Sequence, residues 1–225
     1  MLETQLQALC ERGQIELMET RYLEAADTLA EAERHAWAMK SFDTLSRLYL
    51  PLQETRRQIR QRCGEGAVKM HLFPASTIET IDPQKVSRDN PHGQLLVGGW
   101  GSIQPAVEVR RLAREQHLYL ETFLASMNHD LITIVPLEKE PPVANCLTLK
   151  PADLPADVAR GTADSFAGVM ALWERLHTPF LLAANAESDP IRKMQAYRVT
   201  LEVDPACELA HQFLADIARN LARSE

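Results

Sequence analysis

This 225-residue chain has no CxxC pair, no complete nucleotide-binding glycine loop and no apolar run of membrane length. Its four cysteines, Cys10, Cys63, Cys146 and Cys207, stand far apart. That scatter removes the paired spacing on which cysteine metal and redox sites depend, and predicts buried thiols in a reducing compartment. The longest apolar runs, such as 180–184, fall far short of the roughly 20 residues a membrane-spanning helix needs. No basic stretch followed by an apolar one opens the chain, so no secretory signal is expected and a cytoplasmic location is. The seven histidines show no metal-ligand spacing, so no metal site is predicted. Basic excess is also lacking. The net charge of -7 leans against a nucleic-acid partner, which needs a concentrated positive field.

What is present is an ordinary globular composition, 45% apolar and 24% charged, in a chain long enough for one sizeable core or two small ones. Residues 1–62 read as helical. Leu6, Leu9, Cys10, Ile15 and Leu17 open the pattern, and Tyr22, Ala25, Leu29 and Ala32 continue it after a break at Glu19-Thr20-Arg21. A third run carries Phe42, Leu45, Leu48, Tyr49 and Leu52, with Ser41 as its expected cap and Pro51 expected to kink or split it.

The character changes at Cys63-Gly64-Glu65-Gly66. Val68, Met70 and Leu72 alternate with more polar neighbours, which predicts a half-buried strand. Residues 74–91 read as irregular, with a helical turn near 83–86 and a turn at Asn90-Pro91-His92-Gly93. A second strand is expected over 94–100, a helix over 105–126 and a third strand over 131–136, together a parallel βαβ unit. Glu138-Lys139-Glu140-Pro141-Pro142 reads as an exposed loop, Cys146-Leu147-Thr148-Leu149 as a short strand, and 161–225 as helical with Thr162 as a cap.

Near the C-terminus stands Ala196-Tyr197-Arg198-Val199-Thr200-Leu201-Glu202-Val203-Asp204-Pro205, followed by a second amphipathic run. This resembles the end of a tetratricopeptide repeat, a 34-residue helix pair in which small residues let two helices approach. With Pro205 as the terminal proline, Tyr197 takes the aromatic position and Leu201 the late apolar one. Asp189-Pro190 stands where the second helix begins. The first helix departs from the family: His177, Leu181 and Ala184 replace its tryptophan, glycine and tyrosine. The N-terminal segment is similar through Gly13, Tyr22, Ala25 and Ala32, without the proline. The resemblance implies non-catalytic helical hairpins that bind a protein or peptide partner.

One constellation invites a ligand. Gly98-Gly99-Trp100-Gly101-Ser102 lies between a strand and a helix, where glycines would let a phosphate reach backbone amides. Gln104 stands where a dinucleotide loop has its third glycine, so the competing reading is a tight turn with Trp100 over the sheet edge. Ser102 has neither a nucleophile elbow nor an identifiable base. Arg110, Arg111 and Arg114 beside Glu108 and Glu115 read as a salt-bridged solvent face. Of the histidines, His92 and His129 stand where a parallel sheet could expose them, and His129-Asp130 is expected at the end opposite the ligand crevice, with Glu138 and Glu140 at the crevice end.

The expected architecture is α/β or α+β, a small central sheet (63–160) flanked by tetratricopeptide-like helices (1–62 and 161–225) in one compact body. The expected function is that of a non-catalytic interaction or scaffold protein, with a protein or peptide partner or self-association, no catalytic residues, no cofactor and no membrane partner. The alternative is a small-molecule or nucleotide/phosphate-binding α/β protein with its site at Gly98, Gly99, Gly101 and Ser102. A third reading is self-assembly through an exposed helical face.

Overall fold

The computed structural model describes residues 2–138 and 145–224. Among them are eight α-helices and five strands: α1 (Leu2–Met18), α2 (Tyr22–Ala38), α3 (Phe42–Glu65), β1 (Ala67–Leu72), α4 (Pro83–Asp89), β2 (His92–Trp100), α5 (Gln104–Glu115), β3 (Tyr119–Asn128), β4 (Leu131–Val135), β5 (Leu147–Leu149), α6 (Ala163–Ala186), α7 (Pro190–Val203) and α8 (Glu208–Ala222). The fold is α/β with a small central sheet, helices lying on both sides of it in the sequence. Residues 139–142 of the expected loop lie outside the described residues.

The chain divides into two compact units, Met1–Ile59 with Thr178–Glu225, and Arg60–His177. The boundary falls within α3 and within α6.

The first unit is helical and unites both ends of the chain. Leu6, Leu29, Ala32, Leu45 and Tyr49 share one apolar cluster with Met194, Tyr197, Leu201, Leu214 and Ala218. The terminal helices therefore bury their stripes against each other. Two turns close in the same way. Thr20 and Lys40 take left-handed backbone (φ 61° and 54°) while Arg21 N donates to Glu16 O and Ser41 N to Ala36 O. These are Schellman closures, which satisfy carbonyls that a helix end leaves free. The Ser41 hydroxyl donates to Thr44 Oγ1 at 2.9 Å, so it engages a neighbouring hydroxyl. Pro51 does not split α3, which is helical from Phe42 to Glu65.

Close approach in the α1–α2 hairpin is built on Gly13. A Cβ there would stand 2.6 Å from Leu29 Cδ2. Leu29 occupies the space a side chain would take, which is the physical content of a small residue at a helix crossing.

The second unit holds the sheet, in the order β1-β2-β3-β4-β5. β1, β2 and β3 are parallel, whereas β4 and β5 are antiparallel to their predecessors. Parallel neighbours require a crossover, and α4 and α5 supply the two. Asp82 starts α4 by accepting from the amides of Gln84 and Lys85, with Pro83 in the first turn. Leu95, Val97, Leu120 and Leu124 pack with Ile103, Ala106, Val109 and Ala113 on one sheet face.

The βαβ unit exists with different boundaries from those expected. Its helix stops at Glu115, and its second strand is β3, not 131–135. His117 at φ 50° ends α5, with Leu118 N donating to Ala113 O. Leu120, Phe123 and Leu124 fit a helical stripe, yet they lie in a strand buried on both faces. Such a strand loses its period-two alternation, so spacing alone cannot separate it from a helix. The residues at 131–135 form β4, joined to β3 by the two-residue turn His129-Asp130, with His129 at φ 52°.

Candidate functional site

The 98–102 segment ends β2 and turns into α5. Gly98 lies in the strand, where a Cβ would meet Ala125 O at 2.5 Å and the Phe73 ring at 2.6 Å. Glycine is needed there for close packing. Gly99 N donates to Ser102 O and Gly101 N to Met127 O, each at 2.9 Å. Ser102 Oγ accepts from Gln104 N at 3.2 Å. Two amides of the loop are thus spent within the fold. Gly101, at φ 61°, faces open space, with no atom within 4 Å of where its Cβ would be. Trp100 is half-buried, and its Nε1 is buried with no hydrogen-bond partner among the described residues.

The same sheet edge carries the His129-Asp130 turn, because β3 runs parallel to β2 and ends beside it, Trp100 pairing with Met127. The structure therefore reverses two expectations. His129 and Asp130 stand at the carboxyl end of the parallel strands, and Glu138 follows β4 back to the opposite end. There Glu138 reaches Arg110 at 3.5 Å. Arg110 is not on a solvent face: its Nε donates to Thr122 O at 2.7 Å and its side chain is largely covered. Arg111 does behave as expected, bridging Glu108 and Glu115 on the exposed side of α5. His92 is exposed and packs on Tyr119.

The opposite face of the sheet holds a closed polar ring that the sequence did not advertise. Arg60 of α3 makes two hydrogen bonds to Glu121, at 2.8 and 3.1 Å. Gln94 Nε2 donates to Glu121 Oε2 at 2.5 Å, and Trp173 Nε1 donates to Gln94 Oε1 at 3.3 Å. The guanidinium of Arg60 lies 4.4 Å over the Trp173 ring, which stacks on Phe123 at 4.0 Å. Gln94 pairs with Glu121 across the parallel register, which puts both on one face. Cys63, one turn after Arg60, is buried, and burial pushes its thiol well above the ordinary range, with Glu121 adding to the effect.

A second network lies within the helical unit. Trp37 Nε1 donates to Tyr49 Oη at 2.8 Å, and Tyr49 Oη donates to Glu33 Oε1 at 3.2 Å. Arg198 Nε donates to the same carboxylate at 3.2 Å and stacks over Trp37 at 4.8 Å. Burial and then Glu33 push the Tyr49 phenol far up, so it stays a donor. Farther along α3, Arg56 Nη1 stands 3.4 Å from His211 Nε2, which also lies 3.1 Å from Pro205 O. The His211 ring is fully buried, and burial, then Arg56, lowers its pKa to about 3.

Residues of both networks escape sequence reading because each is a single polar side chain inside an apolar pattern. Gln94 before Leu95-Leu96-Val97, and Glu121 between Leu120 and Phe123, carry the signal in retrospect. A polar residue in a doubly buried strand needs a partner. Of the four cysteines, Cys63 and Cys207 are buried and Cys10 and Cys146 half-buried. Among the described residues no group of three or more metal-ligating side chains converges, and no helix is long and apolar enough to cross a membrane. No family model, curated protein or solved structure matches the chain.

Proposed function

We propose that the chain is a non-catalytic interaction module of tetratricopeptide-like character, binding a protein or peptide partner through its helical unit. One observation carries the reading. Among the described residues nine large apolar side chains are substantially exposed, and seven of them belong to the helical unit: Ile15, Met18, Met39, Leu50, Leu182, Leu209 and Phe213. Leu209 and Phe213 are four residues apart, hence neighbours on one face of α8. Phe213 is held in place by stacking on Tyr197 at 5.2 Å, so it is a preset anchor rather than a loose side chain. Aromatic anchors fixed in this way are what binding surfaces use to limit the entropy lost on association. The most strongly perturbed groups of the unit, Tyr49 and His211, are fully buried, which suits a scaffold better than a proton-transfer site.

The test is affinity capture with the full chain and with a Leu209→Ser/Phe213→Ser variant, alongside the mass of the free chain in solution. A partner retained by the parent chain and lost by the variant supports the reading. Equal capture by both, with no self-association of either, overturns it.

A phosphate or small-molecule site at Gly98, Gly99, Gly101 and Ser102 is the second reading, favoured by the open space over Gly101 and the unpartnered Trp100 Nε1. Against it stand the two amides already bonded inside the fold. A thermal-shift series with nucleotides and phosphorylated metabolites separates the two: a dose-dependent rise in Tm abolished by Gly101→Val supports the ligand site, and no rise removes it.

A further inference from the structure

His211 is the one fully buried histidine of the helical unit, and its surroundings disfavour a second ring proton. Two arrangements are open to Nε2. If Nε2 carries the proton, it donates to Pro205 O at 3.1 Å, and the next proton must go to Nδ1, which is buried and has no partner among the described residues. If Nε2 instead accepts from Arg56 Nη1 at 3.4 Å, protonating it sets N–H against N–H beside a guanidinium. Either way the imidazolium is penalised by desolvation and by a like charge.

The neighbouring groups do not undo this. α3 contributes Arg56 and Tyr49, the latter with its ring 6.4 Å from the imidazole; the backbone carbonyls of Tyr49 and Pro205 favour a charged ring, each more weakly than Arg56 opposes it. The end of α7 contributes Asp204, the single nearby carboxylate that favours a charged ring, and it acts more weakly than Arg56. One step farther, Glu33 of α2 faces Arg56 and Tyr49 and is itself engaged by Arg198. Asp204 already accepts from the amide of Ala206.

We propose that His211 makes the docking of α8 proton-dependent: one proton taken up by the ring releases α8 and the turn before it from α3, uncovering their apolar faces. The sign follows from linkage. A histidine whose pKa is lowered in the docked state contributes stability that is complete above about pH 6.5 and is lost as pH falls toward the docked value. Release exposes Ala210, Leu214 and Ala218, which belong to the core shared with α1 to α3. Acidification therefore changes which surface the helical unit offers. This inference is independent of whether a partner binds the exposed face of α8.

The experiment is amide hydrogen exchange on the full chain at pH 7.5 and pH 5.0, corrected for intrinsic rates. With the docked ring at about 3 and the released ring near 6.5, the opening equilibrium of 208–222 rises about 30-fold over this interval. His211→Gln, which keeps a polar side chain but takes no proton, abolishes that rise. Unchanged protection of α8, or an equal rise in the variant, overturns the proposal. Should His211→Gln fail to fold, the ring nitrogens of the parent chain decide by NMR. A neutral ring in the docked chain at pH 5.0 upholds the proposal, and a charged ring in a fully protected α8 overturns it.

Discussion

The helical unit and the sheet unit bury charge in opposite ways. In the sheet unit, Arg60 and Glu121 form a bidentate pair closed by Gln94 and Trp173, and the Arg60 side chain is only 3% exposed. In the helical unit, Glu33 is shared by Tyr49 and by Arg198, whose side chain is 37% exposed, while the His211 ring faces the Arg56 guanidinium at 3.4 Å. The first network is closed, each side chain engaging the next, and should act as one block. The second is a chain with one end toward water and a neutral ring at the other. Such a chain is sensitive to pH in a way that a closed pair is not. The difference teaches that burial alone does not define a site; what decides its behaviour is whether each buried group has a complementary partner.

The largest way to break this contrast is Trp173→Ala, which removes a fully buried ring from the Phe123 stack and from Arg60 at once. A loss of about 4 kcal/mol is expected in urea unfolding. A loss below 1 kcal/mol would mean that the stack is not part of the core. Next comes Arg60→Met, which leaves Glu121 enclosed without its cation and should cost about 3 kcal/mol. The double variant Arg60→Met/Glu121→Leu should recover most of that. Failure to recover would show that the two residues act independently.

Glycines sharpen the comparison at smaller scale. Gly98→Ala forces a methyl group against the backbone carbonyl of Ala125, which cannot swing aside, and about 2 kcal/mol is expected. Gly13→Ala meets the Leu29 side chain at Cδ2 and Cγ, which can turn aside more readily than a backbone carbonyl, so about 1 kcal/mol is expected, partly relieved by Leu29→Val. The reverse order of these two costs in thermal unfolding would refute the distinction between rigid and yielding neighbours. Smallest are the caps. Asp82→Ala in the sheet unit and Asp189→Ala in the helical unit each lose amide acceptors and should each cost about 1 kcal/mol. A cap change without measurable effect would mean that its helix end is held by packing.

Much of the helical unit was legible because its signals are local. The break at Glu19-Thr20-Arg21, the cap at Asp189 and the stop at Asp204-Pro205 coincide with the ends of α1, the start of α7 and the end of α7. The sheet was legible only in part. β2 shows in the pattern, but the apolar spacing of β3 continues that of α5, because a strand covered on both faces has no alternation to read. Because β3 and not β4 is the parallel partner of β2, His129, Asp130 and Glu138 stand at the ends opposite to those expected. For the 98–102 turn, glycine content suggested an anion site, whereas the structure assigns Gly98 to close strand packing and two amides to internal acceptors.

By itself the sequence determined an α/β chain with helices at both ends and strands between, since helix periods, caps and turn residues act over a few positions. Tertiary structure decided the rest: which strands pair, that both termini share one core, and that Arg60 meets Glu121 and Arg56 meets His211. Those last pairs lie 61 and 155 residues apart. A polar side chain shows its type locally, but its partner is chosen by the packing of elements that are distant in the chain. The same holds for its protonation, which depends on that partner and on the water the packing removes.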